Sequence, residues 1–303
     1  MIRAVITGAA GFAGFSTTRE MLNRGYEVYA VLRPGSAHNK RLEVLDGKLH
    51  LIELDCVDFD KISDYISEEC DVFYHLAWFG GRDDFAVQMD NIDYCIKAIE
   101  SAAKLKCKLF IGIGSQAEYG VVDGIMSENL LPNPFSAYGS AKVAAMYLSR
   151  RRAEQLGLDW IWGRIFSLYG DYEPSGRMFP DLIMKLKNNQ DIRLSSCEQN
   201  WDYLHVRDAA NAIIALGEKG HSGEIYNIAN GDYKPLKEFV EAAKKHFSYE
   251  GNLTYGEKAD PFISLSPDVS KIKKHTGWNP VIGFDEGVIE LVDEENKYYD
   301  SLL

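Results

Sequence analysis

The chain lacks the marks of several protein classes. None of its five cysteines, Cys56, Cys70, Cys95, Cys107 and Cys197, stands in a CxxC or Cys/His ligand spacing. No metal site or disulfide framework is therefore expected, and the cysteines read as buried thiols in a reducing compartment. No apolar run approaches the roughly 20 residues that span a bilayer. The opening MIRAVITG passes straight into a strand with neither a charged n-region nor a long apolar h-region, so a cytoplasmic location and no membrane partner are expected. Positive charge is scarce, with 33 Lys and Arg against 45 Asp and Glu and a net charge of -12. That balance argues against a nucleic-acid partner or an anionic-membrane face, while leaving room for a local basic pocket. Low-complexity tracts and internal repeats are also missing, and 46% of residues are hydrophobic, as in an ordinary globular protein. At 303 residues the chain can build a large core and two lobes.

What is present is alternation. Short β-branched runs at Arg3 to Thr7, Glu27 to Leu32, Leu49 to Glu53, Val72 to Leu76, Leu109 to Ile113 and Trp160 to Ile165 predict strands. Helical periods at Gly14 to Arg24, Asp90 to Lys104 and Tyr138 to Leu156 fall between them. Strand, helix, strand at this spacing predicts an α/β fold, a Rossmann-type doubly wound parallel sheet with a smaller C-terminal substrate-binding lobe. The expected division is 1–168 for the dinucleotide-binding domain, with 201–229 returning to it, and 169–200 plus 230–303 for the lobe.

The segment ITGAAGFAGF spaces Gly8, Gly11 and Gly14 between the first strand and first helix. Such a turn lets backbone approach a pyrophosphate, and the helix N-terminus offers free N–H groups and a positive dipole end. A glycine triplet alone also describes a tight turn without ligand; its position at the head of an alternating sheet favours the cradle. In SAYGSAK, Tyr138 and Lys142 lie one helical turn apart on one face. An ammonium beside a phenol is expected to lower the phenol pKa toward the range of proton transfer. Taken by itself, such a pair is more often a solvated face, but LFIGIGS ends an upstream strand in Ser115, at the sheet edge where these folds place ligands.

These segments, with LDC, YHLAW, NIDYCIKAIESA, GSQAEYG, GRIFSLYGD, NWDYLHVRDAANAI and GWNPVIGFDEG in this order, resemble the extended short-chain dehydrogenase/reductase family, in its nucleotide-sugar epimerase, dehydratase and 4-ketoreductase group. The resemblance implies that Tyr138 is the acid/base at the sugar 4-oxygen. It makes Lys142 the residue that binds the nicotinamide ribose and depresses the Tyr138 pKa, and Ser115 a hydrogen-bond partner of the same sugar oxygen. It places Gly8, Gly11, Phe12, Ala13, Gly14, Asp55, Cys56, Leu76, Ala77 and Asn91 beside the cofactor. Trp78, Gln116, Ser167, Arg177, Arg193 and Trp201 fall on the substrate side. Read without the resemblance, Asp55 is a capping acid, Ala77 core filler and Asn91 a polar group near a helix start.

Departures from the family pattern sharpen the expectation. The 4,6-dehydratases carry Thr-Asp-Glu where this chain has Ser115-Gln116-Ala117, and that acid pair removes the 6-hydroxyl. Glu118 comes one residue late and, along an extended segment, would point the other way. Trp201 stands where the family commonly has Arg, so phosphate binding falls to Arg177 or Arg193. Family members that prefer NAD end the second strand in an acid, whereas this one ends in Arg33, suited to a 2′-phosphate or else a solvated surface residue. NADP(H) is thus favoured, with NAD possible. The expected function is NADPH-dependent reduction of a nucleotide-linked 4-keto-6-deoxyhexose, as in synthases of deoxyhexoses for surface polysaccharides. The alternatives are an NAD-dependent nucleotide-sugar 4-epimerase and a non-catalytic dinucleotide sensor. Base recognition is expected at Gly176 to Asn200 and Asp260 to Ser266. A homodimer is expected through the helices 90–104 and 138–156, with Ala144, Ala145, Tyr147 and Leu148 on the pairing face.

Overall fold

The computed structural model describes residues 1–259 and 263–298, with side chains through 292. Asp260, Pro261 and Phe262, the start of the second base-recognition segment, lie outside the described residues. Seven strands form one sheet in the order β11-β6-β5-β4-β1-β2-β3. These are β1 (Arg3–Thr7), β2 (Glu27–Leu32), β3 (Lys48–Glu53), β4 (Val72–His75), β5 (Leu109–Ser115), β6 (Asp159–Ile165) and β11 (Ile225–Ile228). Every pairing in it is parallel. The doubly wound architecture expected from the alternation is present. The central strands are nearly all buried, which is why they read as unbroken apolar runs. Edge strand β3 instead exposes Lys48, His50 and Glu53, charges that discourage pairing with another chain.

On one side of the sheet, α1 (Phe12–Asn23), α5 (Val206–Lys219) and α7 (Ser270–Thr276) bury Phe15, Met21, Ile213, Leu216 and Ile272. On the other, α2 (Phe85–Lys104) and α3 (Ala137–Leu156) bury Cys95, Ile99, Ala145 and Met146. A third cluster gathers Phe179, Leu182, Tyr203, Phe239 and Val288 from α4 (Met178–Lys187), β10 (Tyr203–His205), α6 (Leu236–Lys244) and α8 (Phe284–Tyr298). Short pairs surround it: β10 with β7 (Ser167–Tyr169), β13 (Leu253–Thr254) with β8 (Ile192–Arg193), and β12 (Lys234–Pro235) with β9 (Asn200–Trp201).

Helix α2 starts five residues before the predicted Asp90, at Phe85, where the Asp84 side chain accepts the Val87 N–H. In that first turn Phe85 and Ala86 face solvent while the buried position is the polar Gln88, so it carries no apolar period to read. Ser136 caps α3 by accepting the Gly139 N–H, and Gly157 ends it at φ 66°. Of the four residues expected on a pairing face, Ala145 is buried against the sheet, while Tyr147 and Leu148 face solvent.

Candidate active site

The strand order reverses between β1 and β4, and a crevice opens past their carboxyl ends. Gly8 leaves β1 at φ 72°, and the Gly11 N–H closes the turn on the Gly8 carbonyl at 3.0 Å. A Cβ on Gly8 would lie 2.8 Å from the Ala77 nitrogen, and one on Gly14 only 2.0 Å from the Gly8 oxygen. Only glycine allows this three-way approach of turn, helix and β4 loop. Helix α1 begins at Phe12, and no side chain caps its free N–H groups. A cavity of about 280 Å³ follows, walled by Gly11, Leu54, Cys56, Leu76, Ala77 and Phe79. Arg33, Ser36, His38 and Asn39 stand on its polar side. A flat base against apolar walls, a diphosphate on bare helix N–H groups and an extra anion at the arginine all suit this cradle, so its residues fit a nicotinamide dinucleotide.

The cofactor-side residues divide. Arg33 is exposed, its guanidinium 5.8 Å from the Phe79 ring centroid. Cys56 is buried in the cavity wall, and burial pushes its thiol up to about 12. The exposed Asp55 carboxylate accepts the Val57 N–H at 3.2 Å, the capping arrangement. Asn91 is buried, and its amide is spent on the β4–α2 loop, accepting the Phe79 N–H and donating to the Phe79 and Val87 carbonyls. Gln88, not singled out from sequence, donates to the Phe79 and Gly81 carbonyls and accepts the Trp78 indole N–H at 2.8 Å. Arg41 donates to the Ala10 carbonyl at 3.4 Å and lies 4.3 Å from the Tyr172 ring centroid.

Ser115, Tyr138 and Lys142 come together at the end of β5 and the start of α3. The Ser115 hydroxyl accepts the Ala117 N–H at 3.2 Å and is the chief group that offsets the effect of burial on the Tyr138 phenol. The Tyr138 N–H donates to the Arg82 carbonyl at 2.9 Å, anchoring the helix start to the β4–α2 loop. Lys142 is buried; it donates to the Ile113 carbonyl at 2.6 Å and faces the Trp78 ring. Burial brings its ammonium down to about 7, with the Glu118 and Cys95 charges pulling the other way. His75, beneath it, is held down to about 3 by burial and the Lys142 charge, and pairs with the Thr7 hydroxyl at 2.9 Å.

One expectation is corrected here. Burial raises the Tyr138 phenol, Glu118 adds to the rise, and Ser115, Arg177 and Arg82 counter it. Depression is therefore not the net result; the Lys142 ammonium donates to the Ile113 carbonyl and lies 5.9 Å from the Tyr138 ring centroid. Spacing by four residues sets a shared face but not which neighbour the longer side chain takes.

On the substrate side, Gln116 is half-buried and Ala117 buried, so no carboxylate occupies those positions. Residues 116–118 form a single 3-10 turn rather than an extended segment, and this turn carries Glu118 into the core. Ser167 is half-buried on β7. Arg177 is exposed at the head of α4, 6.0 Å from the Phe12 ring. Arg193 is exposed on β8, and Trp201 is half-buried on β9 between the first and third clusters. Among the described residues, none of Ser167, Arg193 and Trp201 makes a hydrogen bond or ion pair with the Ser115–Tyr138–Lys142 group.

The family of NAD dependent epimerases and dehydratases matches residues 4–229. The chain belongs to that family. It is an enzyme of the extended short-chain dehydrogenase/reductase type, as the sequence motifs implied. It is 23% identical over 302 residues to the CDP-abequose synthase of Salmonella muenchen, covering 96% of this chain and 97% of that one. To the dTDP-6-deoxy-L-talose 4-dehydrogenase (NAD(+)) of Aggregatibacter actinomycetemcomitans it is 27% identical, over 87% of this chain and 96% of the relative. In three dimensions it resembles the UDP-glucuronic acid 4-epimerase from Bacillus cereus in complex with NAD, with a TM-score of 0.86, 23% identity and 99% and 98% of the two chains covered. That likeness concerns the fold. Among the described residues, no helix is long and apolar enough to cross a membrane.

Proposed function

We propose that this family member reduces a nucleotide-linked 4-keto-6-deoxyhexose at C4, using NADPH. The observation that carries the reading is the junction of the Ser115–Tyr138–Lys142 group with a dinucleotide cradle whose second strand is followed directly by Arg33, at a site without carboxylates at positions 116 and 117. When bound, the nicotinamide supplies the hydride. The protein's own part is proton management and alignment. Tyr138, whose raised phenol stays protonated at neutral pH, donates its proton to the 4-keto oxygen as it becomes a hydroxyl. Ser115 holds that oxygen by a second hydrogen bond. Lys142 holds the ribose of the dinucleotide. Glycine turn, Cys56 and Ala77 receive its adenosine diphosphate part, and Arg33 pairs with the 2′-phosphate. The relatives named for CDP-abequose and dTDP-6-deoxy-L-talose support a deoxyhexose substrate.

The assignment extends to the whole chain. Residues 1–168 and 201–229 make up the dinucleotide-binding part, with α7 packed on the same side of its sheet as α1 and α5 rather than in the lobe as expected, and 169–200 with the rest of 230–303 hold the nucleotide sugar; Asp171 and Tyr172 reach Arg19 and Phe15 of α1, and Arg177 reaches Phe12. The enzyme works in the cytoplasm as a homodimer. Phe85 and Met89 of α2 and Tyr147 and Leu148 of α3 expose apolar side chains that a second copy would cover.

The test is to denature freshly purified protein, identify any released dinucleotide by mass spectrometry, and compare NADPH and NADH binding before assaying nucleotide-linked 4-keto sugars. Protein that is empty, prefers NADPH and reduces such a sugar meets the proposal. Stoichiometric tightly held NAD, with interconversion of 4-epimers, replaces it by the epimerase reading.

A further inference from the structure

Glu118 is fully buried, and its carboxylate accepts from three donors. One oxygen accepts the Ser115 N–H at 2.9 Å and the Trp162 indole N–H at 3.0 Å; the other accepts the Arg164 Nε–H at 2.6 Å. Arg164 is as buried as its partner, lies 4.4 Å from the Tyr119 ring centroid, and reaches the Met146 sulfur at 3.5 Å. The strand above makes way for this network. A Cβ on Gly114 would fall 2.1 Å from both the Glu118 oxygen and the Trp162 nitrogen, so only glycine lets the carboxylate and indole meet under β5. A buried ion pair is a costly way to gain stability, since well-packed apolar residues often do as well or better. Here the carboxylate sets the backbone of Ser115, the residue that most counters the rise of the Tyr138 phenol, and its charge is felt by both Tyr138 and Lys142.

We propose that Glu118 is a positioning residue of this site, a buried carboxylate that, held by Arg164 and Trp162, fixes Ser115 against Tyr138 and gives the pocket floor its negative charge. The inference rests on the reading of Tyr138 as the acid/base. The groups facing Tyr138 are Ser115, Arg82, Arg177, Trp78, Lys142 and Glu118, while those facing Lys142 are His75, Trp78, Cys95, Tyr138, the Ile113 carbonyl and Glu118. In both sets Glu118 is the carboxylate, so its neutralisation has a readable sign: Lys142 then loses its proton at lower pH.

The experiment follows the lysine Cε resonance of Lys142, identified by its loss in Lys142→Met, through a pH titration of the full-length protein without substrate. Steady-state kinetics accompany it. In Glu118→Gln the Lys142 midpoint is expected to fall by roughly one unit, and kcat by about tenfold or more with KM little changed, as for a misplaced proton donor. If that variant folds poorly, Glu118→Gln with Arg164→Met removes both charges at once; it should regain melting temperature and leave the midpoint and kcat depressed. Variants that melt lower but keep the wild-type midpoint and kcat overturn the proposal and leave the pair as structure alone. The titration needs no substrate, so an error in the proposed sugar shows only in the kinetics and is told apart from an error about Glu118.

Discussion

The Lys142 ammonium lies 3.6 Å from the Trp78 ring centroid, held by that π-face and one carbonyl without a carboxylate in ion-pair contact among the described residues. Its pKa falls from 10.5 to about 7. The unfolded chain therefore binds more protons than the folded one between about 7 and 10.5, and stability contributed at this site rises with pH across that window. Below about 7 the cost of the buried charge is fully present. The melting temperature of Lys142→Met should exceed that of wild type by a few degrees at pH 7, with the gap closing toward pH 10. A gap that does not change with pH contradicts the assignment.

His75 behaves in the opposite pH range. Its folded value of about 3 lies below the ordinary 6.5, so the stability of the neutral ring is present above 6.5 and lost as the pH falls toward 3. Replacing His75 by Gln, which keeps a partner for Thr7, should flatten the acid limb of a denaturation curve. An equally steep limb would show that other groups govern acid unfolding.

Tyr138→Phe should lower turnover by roughly 10²–10⁴-fold while dinucleotide affinity stays near wild type. Steady-state assays and nucleotide-fluorescence titrations decide it. Undiminished turnover would remove the phenol from the mechanism.

Arg33 tests the cofactor. Its replacement by Glu should lower the NADPH-over-NADH preference by about tenfold or more, the worth of about 1.4 kcal/mol. Dissociation constants for both nucleotides read it directly, and a preference that stays the same makes Arg33 a surface residue.

The exposed stripe of Met89, Tyr147 and Leu148 tests the oligomer. Leu148→Asp should convert a dimer to a monomer in sizing chromatography at micromolar concentration. A wild-type protein that elutes as a monomer ends the dimer proposal.

Much of the fold was legible because a parallel sheet buried on both faces writes its strands as continuous apolar runs, and β1, β2, β4, β5 and β6 fall within a residue or two of their expected bounds. Ser115, Tyr138 and Lys142 were legible because a strand end and an i, i+4 pair are local signals. Glu118 was not read, although Ser115-x-x-Glu118 is the local signature of the capping box that ties its carboxylate to the Ser115 N–H; what no local signal carries is its second partner, Arg164, 46 residues away. Gln88, which precedes the helix expected from Asp90, could not be matched from sequence to the Trp78 indole it fixes.

The sequence by itself determined what is set within one or two helical turns. The glycine turn follows from backbone that no other residue can adopt, the parallel doubly wound sheet follows from alternation, and the Tyr–Lys pair follows from helical pitch. The tertiary structure decided the charges. Burial lowers Lys142 and raises Tyr138, the ammonium lies against the Trp78 ring, and a carboxylate accepts the Ser115 N–H. Protonation depends on solvent exclusion and on neighbours brought together from distant parts of the chain, and neither quantity is carried by spacing along it.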